Sequence, residues 1–186
     1  SVSFGLKIVY NDKELREAIK FIVSEFEQQA LVEQFIRGRE FCIALLGNSQ
    51  IEAFPVLEID LEGDPDGIQT VDDKKSKPKK KICPANISQE LAEEMQRISI
   101  EAFHSLNLRD FARVDIRLDE NDNIYLLEIN SMASLGQTGS YVHAAEVAGY
   151  SYANLVNKML DVASVRYFSN TIMTKLPGDP LNGKMQ

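Results

Sequence analysis

The 186-residue sequence has no tryptophan, two histidines and two cysteines, Cys42 and Cys83. So little thiol and imidazole excludes a disulfide framework and any Cys/His cluster with zinc-ligand spacing. A reducing cytoplasm is the expected location. No stretch approaches the run of about 18 apolar residues that a membrane helix needs. The opening Ser1-Val-Ser-Phe-Gly-Leu6 lacks the basic and apolar regions of a signal peptide. A soluble chain with no membrane partner is expected. A basic surplus is also missing: 28 acidic against 20 basic residues give a net charge of −8, which argues against nucleic acid as a partner. There is no initiating Met and no internal repeat, and the start within a glycine-containing turn suggests a piece of a longer protein.

What is present is a globular composition, 44% hydrophobic and 26% charged, enough for one ordinary domain or two small ones. Apolar residues at 15, 18, 19, 22, 23 and 26 predict a helix over 12–26, N-capped by Asn11 or Asp12. Strands are predicted at about 30–36, 41–47 and 50–60, with turns at Arg37–Glu40 and Gly47–Gln50. Ser88 N-caps the best helix, which runs to about Leu106 with apolar residues at 91, 95, 98, 102 and 103. Further helices are predicted around Val142–Ala148 and Ser151–Arg166, and Ser169–Gln186 reads as linker. Between Gly63 and Lys81 apolar content falls, and six lysines (74, 75, 77, 79, 80, 81) crowd into eight residues. Such a run suits either a solvated loop or a positive loop closing over phosphate.

The most informative feature is a pair of alternating segments, Ala112–Leu118 and Ile124–Asn130, around Asp119–Asn123. They predict a β-hairpin. A centre between Asn121 and Asp122 puts Asp115 opposite Glu128 and Arg113 opposite Asn130 on one face. Val114, Ile116, Leu118, Tyr125, Leu127 and Ile129 are predicted on the other. Two carboxylates about 5 Å apart repel unless solvated or neutralised. The polar face is therefore either a solvated hairpin surface or a cation site, and Asp, Glu and an amide oxygen are hard ligands suited to magnesium.

In element order the chain resembles the C-terminal part of the D-alanine–D-alanine ligase family of ATP-grasp enzymes over roughly residues 1–168. Three segments carry the resemblance: Val32-Glu-Gln-Phe-Ile-Arg-Gly-Arg-Glu40, the hairpin from Ala112 to Asn130, and Ala148-Gly-Tyr-Ser-Tyr152 with the helix after it. The resemblance implies an α+β fold: residues 1–36 as a remnant of the central ATP-grasp subdomain, 37–168 as a C-terminal catalytic domain of mainly antiparallel sheet flanked by helices, and 169–186 as a tail.

It further implies ATP with magnesium or manganese as cofactors, the metal held by Asp115, Glu128 and Asn130. Glu33, Gln34, Phe35 and Ile36 would form the hinge strand gripping adenine, Leu127 would pack on the base, and Glu40 would accept from the ribose hydroxyls. Lys74 or Lys75 would contact phosphate, and Ser1–Gly5 looks like the end of a phosphate loop. Arg113 matches the family arginine that stabilises an acyl phosphate or tetrahedral intermediate. The implied activity is ATP-dependent joining of two amino acids, D-alanyl-D-alanine for peptidoglycan or a related dipeptide. The rival readings are a ligase for another amino acid and carboxylate, or a nucleotide-binding module without turnover. In the second-substrate loop Ser134 stands in place of the family's glycine and Gly139 in place of its serine, with Ser140 one step on, which opens the identity of the second amino acid. The resemblance also implies that N-terminal domains are missing, that the fragment is inactive alone, and that a homodimer is one allowed assembly.

Overall fold

The structure, a computed structural model, describes residues 5–68 and 79–173, with side chains as far as Phe168. In chain order the elements are α1 (Asp12–Phe26), β1 (Arg39–Gly47), β2 (Ile51–Ala53), β3 (Leu57–Ile59), β4 (Lys81–Ile82), α2 (Gln89–Ser105), β5 (Phe111–Leu118), β6 (Ile124–Asn130), α3 (Ser140–Val147) and α4 (Tyr152–Met173). The strands form one antiparallel sheet in the order β4-β3-β1-β5-β6, with β2 also paired to β1. This is the expected α+β arrangement of antiparallel sheet and flanking helices.

β1 lies in the middle of the sheet and reads as an almost continuous apolar run because both its faces are covered. Phe41, Ile43 and Leu45 enter one core with Val114, Ile116 and Leu118 of β5 and Met95 and Phe103 of α2. Cys42, Ala44 and Leu46 enter a second core with Tyr141, Val142 and Ala145 of α3 and Leu155 and Met159 of α4. The Tyr141 hydroxyl donates to the Leu45 carbonyl at 2.9 Å, so the one polar atom of that large buried ring is satisfied. Both main helices begin where side chains cap free backbone donors. Asn11 accepts from Glu14 N–H at 3.0 Å and Ser88 from Leu91 N–H at 3.2 Å.

Four expectations about the extent of the elements change. Ala30–Ile36 is not a strand; it carries no ladder pairing among the described residues. The single strand over 50–60 is instead β2 and β3, because Pro55 lacks an amide donor and one extra residue is accommodated there: Leu45 faces Ala53, whereas Cys42 faces Leu57. β4, short and ending the lysine run, was not expected from composition. The last helix continues past Phe168 to Met173, into the stretch read as linker. Residues 174–186 lie outside the described residues.

The hairpin has the predicted outer register, Arg113 with Asn130 and Asp115 with Glu128, but nearer the turn Ile116 faces Leu126. One residue of β6 is therefore extra, a bulge at Leu127. The shift removes Tyr125 and Leu127 from the predicted core face: they are 37% and 49% exposed, while Ile124 and Ile129 pack against the α2 core.

Candidate nucleotide and cation site

The sheet face under α3 and α4 is only partly roofed. Cys42, Ala44 and Leu46 lie under the helices, and on the same side β1 and β5 carry Glu40, Arg113, Asp115 and Arg117. A cleft of about 1050 Å³ opens there between α1, residues 28–36 and the hairpin. Its wall includes Glu33, Gln34, Phe35 and Ile36, and its floor Glu40, Asp115, Arg117, Leu127 and Glu128.

Behind the floor, and not themselves lining the cleft, stand Arg113 and Asn130; Arg113 grips Asp115 with two hydrogen bonds, Nε to Oδ1 at 2.7 Å and Nη2 to Oδ2 at 2.6 Å. The Asn130 amide donates to Asp115 Oδ2 and to Glu128 Oε1, both at 3.1 Å. The four residues expected to meet on one face are thus within hydrogen-bonding distance. Burial raises the Asp115 carboxyl above its ordinary pKa; Arg113 opposes this and the Glu128 charge adds to it. Burial lowers the Arg113 guanidinium, but the bonds and charge of Asp115 outweigh it and leave it above its ordinary value. Cys42, directly across the ladder from Asp115, is pushed up to about 12 by its burial.

These directions bear on a cation. Asp115 stays above its ordinary pKa despite a bidentate arginine because burial disfavours its charged form, and a divalent cation held there would favour that form. No group of three or more His, Cys, Asp or Glu is placed to hold a metal among the described residues. The set is instead two carboxylates and an amide, whose oxygen turns toward them on a half-rotation of Asn130. Hard oxygen donors with open positions for water or phosphate fit magnesium or manganese.

Other expected residues lie elsewhere. Lys74 and Lys75, with Lys77, fall outside the described residues. Lys81, at the end of the same run, donates through Nζ to the Thr138 carbonyl at 2.6 Å. Ser134, Gly139 and Ser140 do not line the cleft. Ser134 Oγ accepts from Gly136 N–H at 3.3 Å, and Gly139 precedes α3 without a side-chain cap. A Cβ on Gly139 would come within 2.8 Å of the Gly136 carbonyl oxygen, so the tight loop fits a residue without one.

Arg117 was missed. Only 3% exposed, it reaches Ile36, Glu40 and Gly67 from the cleft floor. Its signal was the same alternation that selected Arg113 and Asp115: position 117 is the next on that face.

A family profile described as D-ala D-ala ligase C-terminus matches residues 1–161. The chain is 43% identical over 173 residues to an uncharacterized protein of Sinorhizobium fredii, covering 92% of this chain and 52% of that protein. It is 32% identical over 161 residues to the D-alanine–D-alanine ligase of Desulfotalea psychrophila, covering 86% and 50%. Among solved structures, the D-alanine–D-alanine ligase of Coxiella burnetii superposes with a TM-score of 0.73 at 23% identity, over 90% of this chain and 43% of that one. VanG D-Ala:D-Ser ligase of Enterococcus faecalis superposes with a TM-score of 0.70 at 25% identity, over 86% and 46%. The chain spans about half the length of the curated relatives it matches.

Proposed function

Since the chain belongs to the D-alanine–D-alanine ligase family and carries its C-terminal, ATP-grasp part, we propose that it supplies the metal-binding and ribose-binding half of an ATP site for ligation of two amino acids. The observation that carries this reading is the hydrogen-bonded cluster of Arg113, Asp115, Glu128 and Asn130, whose two carboxylates line a cleft large enough for a nucleotide. Residues 1–36 are a remnant of the central subdomain, and 37–168 the C-terminal domain.

In this reading the side chains divide the work by position. Glu33 to Ile36 offer backbone groups and an acid to the base, Leu127 covers its face, and Glu40 accepts from the ribose. The bulge at Leu127 explains why an apolar side chain turns from the core into the cleft. Asp115, Glu128 and Asn130 would hold magnesium, which when bound neutralises charge on the phosphates and on the phosphoryl group in transfer. Arg113 is fixed by Asp115 with its guanidinium already oriented, so no reorganisation is needed to stabilise negative charge developing on an acyl phosphate or tetrahedral centre. The carboxylate of a first amino acid would attack the γ-phosphate, and the amine of a second would displace phosphate. A glycine at 139 leaves the second amino acid without a hydroxyl partner at that position, so Ser134 and Ser140 are the candidates for its carboxylate. The lysines at 74 and 75 are proposed phosphate contacts.

A second reading, a related ligase with a different amine or carboxylate, is favoured by Ser134 and Gly139. ADP release on adding D-alanine tests both. We expect none from the 186-residue chain alone. When the chain is joined behind the preceding half of the Desulfotalea ligase, D-alanine-dependent ADP and a dipeptide are expected. ADP release only with other amino acids would favour the second reading, and ATP binding without any amino-acid-dependent ADP would favour a binding module.

A further inference from the structure

Arg117 is a buried cation whose partners lie on three other segments of the chain. Nη1 donates to the Ile36 carbonyl at 2.7 Å, Nη2 donates to the Gly67 carbonyl, and Nη2 lies 3.5 Å from Glu40 Oε2. The guanidinium also stacks over the Phe35 ring, 4.9 Å from its centroid. A planar fork with several donors can satisfy acceptors in different directions at once, which a lysine or an apolar side chain cannot. The nearby Arg37–Asp66 pair also ties residues 36–38 to the loop after β3, but it is largely exposed and contributes little.

Phe35, Ile36, Glu40 and Arg117 all line the cleft, with Ile68 beside Gly67. On the reading that this cleft takes ATP, the Ile36 backbone belongs to the base side and Glu40 to the ribose side. We infer that Arg117 is a positioning residue for the nucleotide: it holds Glu40 and the Phe35–Ile36 edge in one fixed relation, so that the ribose is read only while this fork is in place. Its partners are Glu40, the Ile36 and Gly67 carbonyls and the Phe35 ring, so it acts through Glu40 and the hinge backbone. Removing it takes a donor from the Ile36 and Gly67 carbonyls and takes from Glu40 the cation that faces it across the ladder.

The test is binding of magnesium ATP against magnesium 2′,3′-dideoxy-ATP to the 186-residue chain by calorimetry, in the wild type, Arg117→Met, Glu40→Gln and the double variant. Hydrogen bonds from ribose hydroxyls to a carboxylate predict a wild-type preference for ATP of about tenfold or more. Arg117→Met should reduce that preference to within about twofold although Glu40 is intact, and adding Glu40→Gln should change it no further. General destabilisation would weaken both ligands alike and leave the ratio standing. If Arg117→Met does not fold, Arg117→Lys, which keeps the charge and loses the fork, should still lose most of the preference. A wild-type ratio in the folded Arg117 variant overturns the positioning role. A wild type that binds both nucleotides equally overturns it too, while leaving the ATP site intact. No binding of ATP at all by the folded wild type overturns the nucleotide reading itself and this inference with it.

Discussion

The two faces of β5 are both packed, yet they are built from opposite chemistry. Toward α2 it presents Val114, Ile116 and Leu118, each at most 2% exposed and needing nothing but close-packed neighbours. Toward the cleft it presents Arg113, Asp115 and Arg117, which are covered only because every charge finds a partner. The apolar face gains stability from area removed from water. The polar face has little net stability to offer, because desolvation of the ions offsets much of their attraction. Three charged residues in a row on one covered face therefore add little to folding, which supports the proposed site for an anionic ligand and its cation.

The largest effect is expected on the apolar side. Ile116→Ala should destabilise the chain by about 3 kcal/mol, the transfer and cavity terms of a core truncation, measured by urea unfolding, while ATP affinity in the still-folded protein stays within about twofold of wild type. Next, Arg113→Ala leaves Asp115 partly buried without its cation and should cost about 2 kcal/mol, between the exposed and buried limits for an ion pair. Arg113→Met with Asp115→Leu should recover most of that stability and bind no Mn²⁺. If the pair were structural, the double variant would remain as unstable as the single one.

Asp115 gives a smaller and pH-dependent effect. Its pKa is raised by burial, so its ionisation opposes folding: its stabilising contribution is complete below the ordinary Asp value of about 4 and is lost as pH rises through the folded value. Mn²⁺ competes with that same proton. Affinity for Mn²⁺, followed by spin resonance, should therefore begin to fall at a higher pH on acidification than an unperturbed aspartate would give, and in Asp115→Asn this early onset should disappear. The smallest effect is thiol reactivity. Burial pushes Cys83 up to about 11 and Cys42 up to about 12. Both should alkylate slowly at neutral pH, Cys83 first, and faster Cys42 modification in Arg113→Ala would report opening of the polar face.

The same two faces mark what sequence pattern could and could not deliver. Alternation placed Val114, Ile116 and Leu118 in the core and brought Asp115 opposite Glu128, because that pairing depends only on period two and an assumed turn centre. It misplaced Tyr125 and Leu127 because a bulge is one residue of backbone with no composition of its own. The Asn11 and Ser88 caps were legible because they are local. The strand expected at 30–36 was not, because a strand needs a partner and Ala30–Ile36 pairs with nothing described; its apolar residues face the cleft instead. Arg117 escaped notice for a related reason. Its face was readable, but Ile36, Glu40 and Gly67 reach it across 50 to 81 residues of chain, and only the fold brings them together.

The polar face of β5 and β6 is proposed as a cation and nucleotide site. The most direct measurement is the spin resonance of Mn²⁺ added to the chain with ATP, beside Glu128→Gln. Bound Mn²⁺ that requires ATP for tight binding, and that is lost in the variant while the fold is kept, is expected. Equal Mn²⁺ binding by both proteins, or none by the folded wild type with ATP present, would contradict it.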